Sequence, residues 1–185
     1  MQRLSLSVFV LIPLSVCAVD AVDWPRFRGA DGNASAPSAN VPLTWNETEH
    51  MLWRQEIPGH GASCPAVFAD RIYLTSFTGY GLDPGDPGNR QDLRLHVLCF
   101  DRQDGRLLWD YQAKDIIRSR PAVWGDVVFV GSDDGYLYGI DRRTGALAWS
   151  YRTGGAIAAG PLVAEGRLFV GSTDRRLHAF TLGEE

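Results

Sequence analysis

From Pro65 onward the chain is written in short apolar runs, each closed by turn-forming residues. Ala122-Val123-Trp124 stops at Gly125-Asp126, and Val127-Val128-Phe129-Val130-Gly131 stops at Asp133-Asp134-Gly135. Tyr136-Leu137-Tyr138-Gly139-Ile140 stops at Asp141-Arg142-Arg143-Thr144-Gly145, after which Leu147, Trp149 and Tyr151 recur at every second position. A period of two belongs to a pleated strand, whose successive side chains point to opposite faces. Runs of this length, rich in β-branched and aromatic residues with turn signals roughly every 8 to 12 residues, predict an all-β fold of antiparallel hairpins. The 20 glycines and 10 prolines among 185 residues interrupt the chain too often for long helices.

The pattern repeats. Asp101 and Asp141, Gly105 and Gly145, Trp109 and Trp149, Pro121 and Pro161, Phe129 and Phe169, Gly131 and Gly171, and Leu137 and Leu177 are all separated by one and the same interval. Trp53, Trp109 and Trp149 each precede a proline, Pro65, Pro121 and Pro161, by a constant spacing, which extends the register back to an earlier unit. That unit is longer, because Trp53 to Trp109 and Tyr73 to Phe129 share a spacing wider than that from Trp109 to Trp149. The surplus forms a Gly-, Pro- and Asp-rich insert loop, residues 78–93, between Phe77 and His96. Four short antiparallel strands recurring about every 40 residues describe the blades of a β-propeller. Counting from Trp53 gives twelve strands: a fourth-strand equivalent at Trp53 to Ile57, two full units, and a last unit stopping after its third strand at Phe180. The expected architecture is a partial β-propeller of about three blade equivalents, short of the roughly four to eight that close a ring. An orphan fourth strand at one end and a unit lacking its fourth strand at the other leave unpaired edges, which invite association. The chain is therefore expected to self-associate rather than stand as a closed monomer.

The most specific element is the turn before the fourth strand, Cys99-Phe100-Asp101-Arg102-Gln103-Asp104-Gly105 leading to Trp109, and Gly139-Ile140-Asp141-Arg142-Arg143-Thr144-Gly145 leading to Trp149. The Asp accepts from turn amides, the Gly supplies a positive φ, and the Trp is placed to fill the gap to a neighbouring blade. Asp101, Gly105, Trp109, Asp141, Gly145 and Trp149 are accordingly read as a structural docking motif. This pattern, small-x-Asp-x-x-Thr-Gly-x-x-x-Trp, resembles the docking motif of the pyrroloquinoline quinone (PQQ) type propeller repeat. Cys99 and Gly139 stand here for the usual Ala, and Asp104 for Thr. That repeat is shared by quinoprotein dehydrogenases and by non-catalytic, BamB-like secreted bacterial propellers. The segment Trp24-Pro25-Arg26-Phe27-Arg28-Gly29 is similar, more loosely, to the leader of secreted members.

Charge and targeting narrow the setting. Eighteen basic residues against 22 acidic ones give a net charge of −4, so there is no basic field to hold a nucleic acid backbone. The apolar run from Leu4 to Ala18, after Arg3, falls below the roughly 20 residues of a transmembrane helix. It ends with Val16 and Ala18 at the −3 and −1 positions of a signal peptidase site. Residues 1–18 are read as a signal peptide, with cleavage after Ala21 as second choice, residues 19–52 as an extended leader, and 53–182 as the repeats. A periplasmic or secreted protein follows. Lipoprotein anchoring at Cys17 is not expected, because Val16 stands where such sites carry a small residue. The remaining pair, Cys64 and Cys99, makes no disulfide framework, though the two can pair in an oxidising compartment.

No chemistry is legible in the motif itself. The four histidines share no metal-ligand spacing, and neither a Gly-x-Ser-x-Gly elbow nor a phosphate loop occurs. Asp133-Asp134 falls in a hairpin turn, the arginine pairs 142–143 and 175–176 read as solvated turn residues, and Pro58 to Ser63 reads as a blade-connecting loop. Tyr80 and Arg90, in the insert, are the candidate interaction residues, since long loops on a rigid scaffold carry binding. The resemblance to non-catalytic members implies an extracytoplasmic scaffold for protein–protein interaction without a bound cofactor. The alternatives are a PQQ- and Ca2+-dependent quinoprotein dehydrogenase, which carries an Asp base, a Ca2+ site of Glu, Asn and Asp and often adjacent cysteines, or a truncated propeller fragment without a function of its own. N-terminal sequencing of exported material should find Val19 first; recovery of the chain from cytoplasm with Met1 intact overturns the export reading.

Overall fold

In the computed structural model, residues 23–29, 42–61, 63–113 and 117–183 are described. The signal peptide and Cys17 lie outside them. The described residues form eleven strands and one 3-10 turn, Arg90–Asp92, in three antiparallel sheets. The first holds β1 (Ala66–Phe68), β2 (Arg71–Thr78), β3 (Arg94–Asp101) and β4 (Leu107–Ala113) in sequential order. The second holds β5 (Ala122–Trp124), β6 (Val127–Gly131), β7 (Tyr136–Asp141) and β8 (Leu147–Arg152), and the third β9 (Leu162–Ala164), β10 (Arg167–Ser172) and β11 (Arg176–Thr181). These are blades of a partial propeller, each strand hairpin-linked to the next.

Alternation decides what lies between the blades. In the middle sheet Val128, Val130, Tyr138 and Ile140 pack toward the first sheet with Tyr73, Leu95, Val97 and Cys99. Phe129 and Leu137, from the same two strands, pack the other way with Ile157, Val163, Leu168 and Val170 of the third unit. A sheet buried on both faces has no polar positions to spare, which is why Val127–Gly131 reads as an unbroken apolar run. At its end Gly131 lies so close to the third unit that a Cβ would stand 2.2 Å from Ile157 Cγ2. The outer strand β8, by contrast, is exposed throughout.

The fourth strands carry a bulge. Cys99 faces Trp109 and Phe100 faces Leu107, while Gly139 faces Trp149 and Ile140 faces Leu147, so Leu108 and Ala148 are extra residues in their strands. A bulge adds twist and re-aims the side chain beside it, here the tryptophan in both units.

Two features depart from the expected strand count and leader. Trp53 to Ile57 is not a strand: the stretch has no ladder partner among the described residues, and a strand exists only by pairing. The leader, for its part, crosses the three innermost strands. Trp24 exchanges backbone hydrogen bonds with Val67 at 2.7 and 2.8 Å, the Pro25 carbonyl accepts from Val123 N at 3.0 Å, and Arg26 donates to the Val163 carbonyl. Val67, Val123 and Val163 are the same position of successive repeats, so three consecutive leader residues staple β1, β5 and β9 in turn. No helix among the described residues is long and apolar enough to cross a membrane.

Ile140→Ala, which empties a fully buried site between the first two sheets, should cost about 2 to 5 kcal/mol in denaturant unfolding. Leu52→Ala, at a side chain 82% exposed, should stay within about 0.5 kcal/mol. Equal losses would refute the assignment of that core.

Candidate functional site

The repeat motif builds the joint between blades. In the first turn the Asp101 carboxylate accepts from the amides of Gln103 (2.7 Å) and Asp104 (3.2 Å). In the second, Asp141 accepts from the amides of Arg143 (3.0 Å) and Thr144 (2.7 Å) and from the Thr144 hydroxyl (2.8 Å). The Thr144 amide and hydroxyl hold the Asp141 carboxyl below its ordinary range. Each turn closes on a glycine with positive φ, +75° at Gly105 and +74° at Gly145. On that glycine sits the tryptophan of the preceding unit. A Cβ on Gly145 would stand 2.8 Å from the Trp109 ring, and one on Gly105 would stand 2.5 Å from the Trp53 ring. The indole nitrogens then reach turn carbonyls, Trp109 to Arg142 O at 3.0 Å and Trp53 to Arg102 O at 3.2 Å. Glycine is needed twice here, for its backbone and for the absence of a side chain.

The Arg142 carbonyl takes a second donor from the first sheet, Arg71 at 2.9 Å, and Arg71 also reaches Arg143 O at 2.9 Å. Arg142 itself is not the solvated turn residue its sequence setting suggests. Its guanidinium donates to Gly125 O at 2.9 Å, pairs with Asp126 at 3.2 Å and lies 5.2 Å from the Phe68 ring centre across the sheet interface. Arg143 is exposed.

Trp149 has a different place from Trp109, although the repeat gives them the same position. It is 39% exposed and packs edge-on against Phe180 (5.4 Å between ring centres) and Phe129 (6.4 Å). One repeat interval further on, Thr181 and Glu185 stand at the sequence positions of Asp and Gly. Among the described residues no turn glycine of a following unit receives the indole, which lies instead beside Gly139 of its own sheet, and an open cleft of about 550 Å3 remains between Trp149, Phe180 and Leu182.

A second cleft, about 510 Å3, opens under the insert loop. Phe77, Leu95 and Ile117 give it an apolar floor, with Tyr80, Arg118 and Arg120 around it. Arg118 pairs with Asp133 at 2.9 Å and Arg120 stacks on Phe27 at 4.0 Å. Of the two candidate interaction residues, Tyr80 is half-buried at this cleft. Arg90 is exposed on the 3-10 turn, whose N-cap is the Asn89 side chain accepting from Gln91 N, and does not line it.

One constellation escaped sequence reasoning. Thr78, His96 and Asp110, on three neighbouring strands of the first sheet, form a hydroxyl–imidazole–carboxylate chain. Thr78 Oγ1 lies 3.0 Å from His96 Nε2, and His96 Nδ1 lies 2.9 Å from both Asp110 oxygens. His96 is buried, and the chain ties three strands together without lining the cleft under the insert. Its only sequence signal is three polar residues in apolar strands, which does not reveal that they meet. The Pro58 to Ser63 loop likewise holds no nucleophile–base pair among the described residues: His60 bonds through its backbone to Phe77, and the Ser63 hydroxyl accepts from Thr75 N at 3.0 Å.

Among the described residues no three His, Cys, Asp or Glu side chains come together to hold a metal. Cys64 and Cys99 are free thiols, and burial pushes the Cys99 thiol up to about 11.

The family described as "Outer membrane protein assembly factor BamB" matches residues 94–184. No curated protein matches the chain. Solved structures do. BamB from Moraxella catarrhalis is 20% identical over 66% of this chain and 34% of its own, with a TM-score of 0.50. The quinohemoprotein alcohol dehydrogenase ADHIIG from Pseudomonas putida HK5 is 24% identical over 70% of this chain and 20% of its own, also with a TM-score of 0.50. The chain thus spans about a third or less of these relatives, and at such identities they share its fold.

Trp109→Ala removes a seated indole and should cost about 3 kcal/mol or more, whereas Trp149→Ala should cost less than half of that, read as a difference in urea unfolding free energy. Equal costs would refute the distinction between the seated and the open tryptophan.

Proposed function

The repeats of this chain belong to the PQQ-like propeller family, and from that premise we propose that it is a non-catalytic extracytoplasmic scaffold for protein–protein interaction. One observation carries the reading: the residues that the repeats hold in common are spent on joining blades. Asp141 is taken up by its own turn amides, Gly145 by the Trp109 ring, and the Arg142 carbonyl by Trp109 and Arg71. A motif used in this way is accounted for by the fold, and fold alone does not imply a cofactor.

The binding surface in this reading is the insert, 78–93, with Tyr80 at the cleft and Arg90 exposed on the loop. A long loop held by a rigid sheet presents side chains without the cost of ordering them on contact. The apolar run at residues 4–18 and the family description both support a place outside the cytoplasm.

The reading is tested by titrating the chain with PQQ in the presence of Ca2+ in a calorimeter, together with dye-linked oxidation of alcohols. No binding tighter than about 1 mM, equivalent to about −4.1 kcal/mol, and no turnover are expected. Micromolar binding, or PQQ-dependent turnover, would replace the scaffold with a dehydrogenase.

A further inference from the structure

The repeat separates residues that the fold uses from residues that it does not. The connector into the second sheet, Ile117-Arg118-Ser119-Arg120-Pro121, corresponds to Gly61-Ala62-Ser63-Cys64-Pro65 one unit earlier and to Ile157-Ala158-Ala159-Gly160-Pro161 one unit later. Ile117 and Ser119 serve the joint. Ile117 is buried in the core between the first two sheets, as Ile157 is buried in the next. The Ser119 hydroxyl accepts from Gly131 N at 2.7 Å, as the Ser63 hydroxyl accepts from Thr75 N at 3.0 Å. Arg118 and Arg120 alternate with these two and are exposed. Their equivalents are Ala and Cys in the earlier connector and Ala and Gly in the later one, so the fold asks for no long or charged side chain at either place.

A second departure from the repeat meets the first. Among the units of this sequence the insert 78–93 belongs to the first alone, and it stands over the same cleft that the two arginines line. Both walls of that cleft are internal to the chain: the end of the first sheet with its insert on one side, the connector into the second sheet on the other. Phe77, Leu95 and Ile117 give an apolar floor, Tyr80 stands half-buried beside it, and no carboxylate is among the described residues of the lining. Arg118 pairs with Asp133 through Nε while its side chain stays 63% exposed. Arg120 lies over the Phe27 ring and pairs with no carboxylate among the described residues.

We propose that this cleft binds an acidic segment of a partner protein, taking one apolar side chain onto its floor and a flanking Asp or Glu against Arg118 and Arg120. Its volume, about 510 Å3, lies in the range of roughly 300 to 1,000 Å3 of sites that enclose a ligand group. Tyrosine and arginine around an apolar pocket make the composition of an interface hot spot, and a guanidinium holds a carboxylate by two parallel hydrogen bonds. The inference rests on the scaffold reading and names the chemistry of its partner.

Selection of a displayed library of short random peptides on the purified chain tests it. Enriched peptides should carry an aromatic or branched aliphatic residue next to Asp or Glu. Synthesised and titrated by calorimetry, they should bind about tenfold more weakly to the Arg118→Ala, Arg120→Ala chain, whose urea midpoint should be unchanged because the neighbouring connectors carry small residues there. Arg118→Lys, Arg120→Lys, which keeps the charge and loses the fork, should fall between. On the unsubstituted chain, replacing the peptide's acid by its amide should cost about the same tenfold, a readout that no folding defect can mimic. Enrichment of basic or uncharged peptides, no enrichment, or affinities indifferent to both the arginines and the acid would overturn the proposed partner, leaving the scaffold reading to the PQQ titration. Should PQQ bind in that titration and be lost in the double-alanine chain, the cleft is a quinone site and both readings fall.

Discussion

The contact on which this structure depends is an indole lying on a glycine. A propeller blade is a small twisted sheet that does not stand alone, because its faces are apolar and each must be covered by a neighbour. In this protein adjacent blades are indexed to one another by Trp109 on Gly145, where the backbone of the turn approaches the ring so closely that a single methyl group would collide with it. The positive φ of that glycine, the Asp141 carboxylate that folds the turn, and the Arg142 carbonyl that accepts the indole N–H all serve the same joint. A hydrogen bond of this kind adds roughly 1 kcal/mol; its greater effect is on position, since the apolar contact by itself has no direction.

Position then propagates. Because the middle sheet is clamped on both faces, its inner strands carry apolar runs, and its Gly131 falls where Ile157 of the next unit presses in. The leader adds a link of another kind. Trp24, Pro25 and Arg26 meet equivalent valines of three successive inner strands, so the sheets are joined at their inner strands by a segment that belongs to none of them. Inner and outer joints together leave the loops at the blade ends as the parts with freedom to differ, and the insert beside the Tyr80 cleft is the largest of these.

The same economy bears on chemistry. The conspicuous polar residues of the repeats are committed to turns and joints, and the hydroxyl–imidazole–carboxylate chain at Thr78, His96 and Asp110 lies inside a sheet. Connectivity of that kind becomes a catalytic device only where a reacting atom can sit beside it. Here the cleft and the chain are lined by different residues.

The sequence by itself determined the blades. Alternation, turn glycines and a constant repeat period are local or one-dimensional properties, and they located β5 to β8 without reference to anything distant. Tertiary structure decided what depends on partners far along the chain. Trp109 and Trp149 are the same letter at the same place in the repeat, yet one is seated on the Gly145 turn and the other is 39% exposed. Trp53 to Ile57 has the residues of a strand and no pairing neighbour among the described residues, so it is not one there. Arg142 has the sequence setting of a surface charge, but Phe68 and Asp126 close over it. The leader's crossing of three blades has no periodic signature, since a backbone bridge depends on amides and carbonyls that nearly every residue carries. Periodicity states what each residue is able to do; only the neighbours that folding brings to it determine what it does.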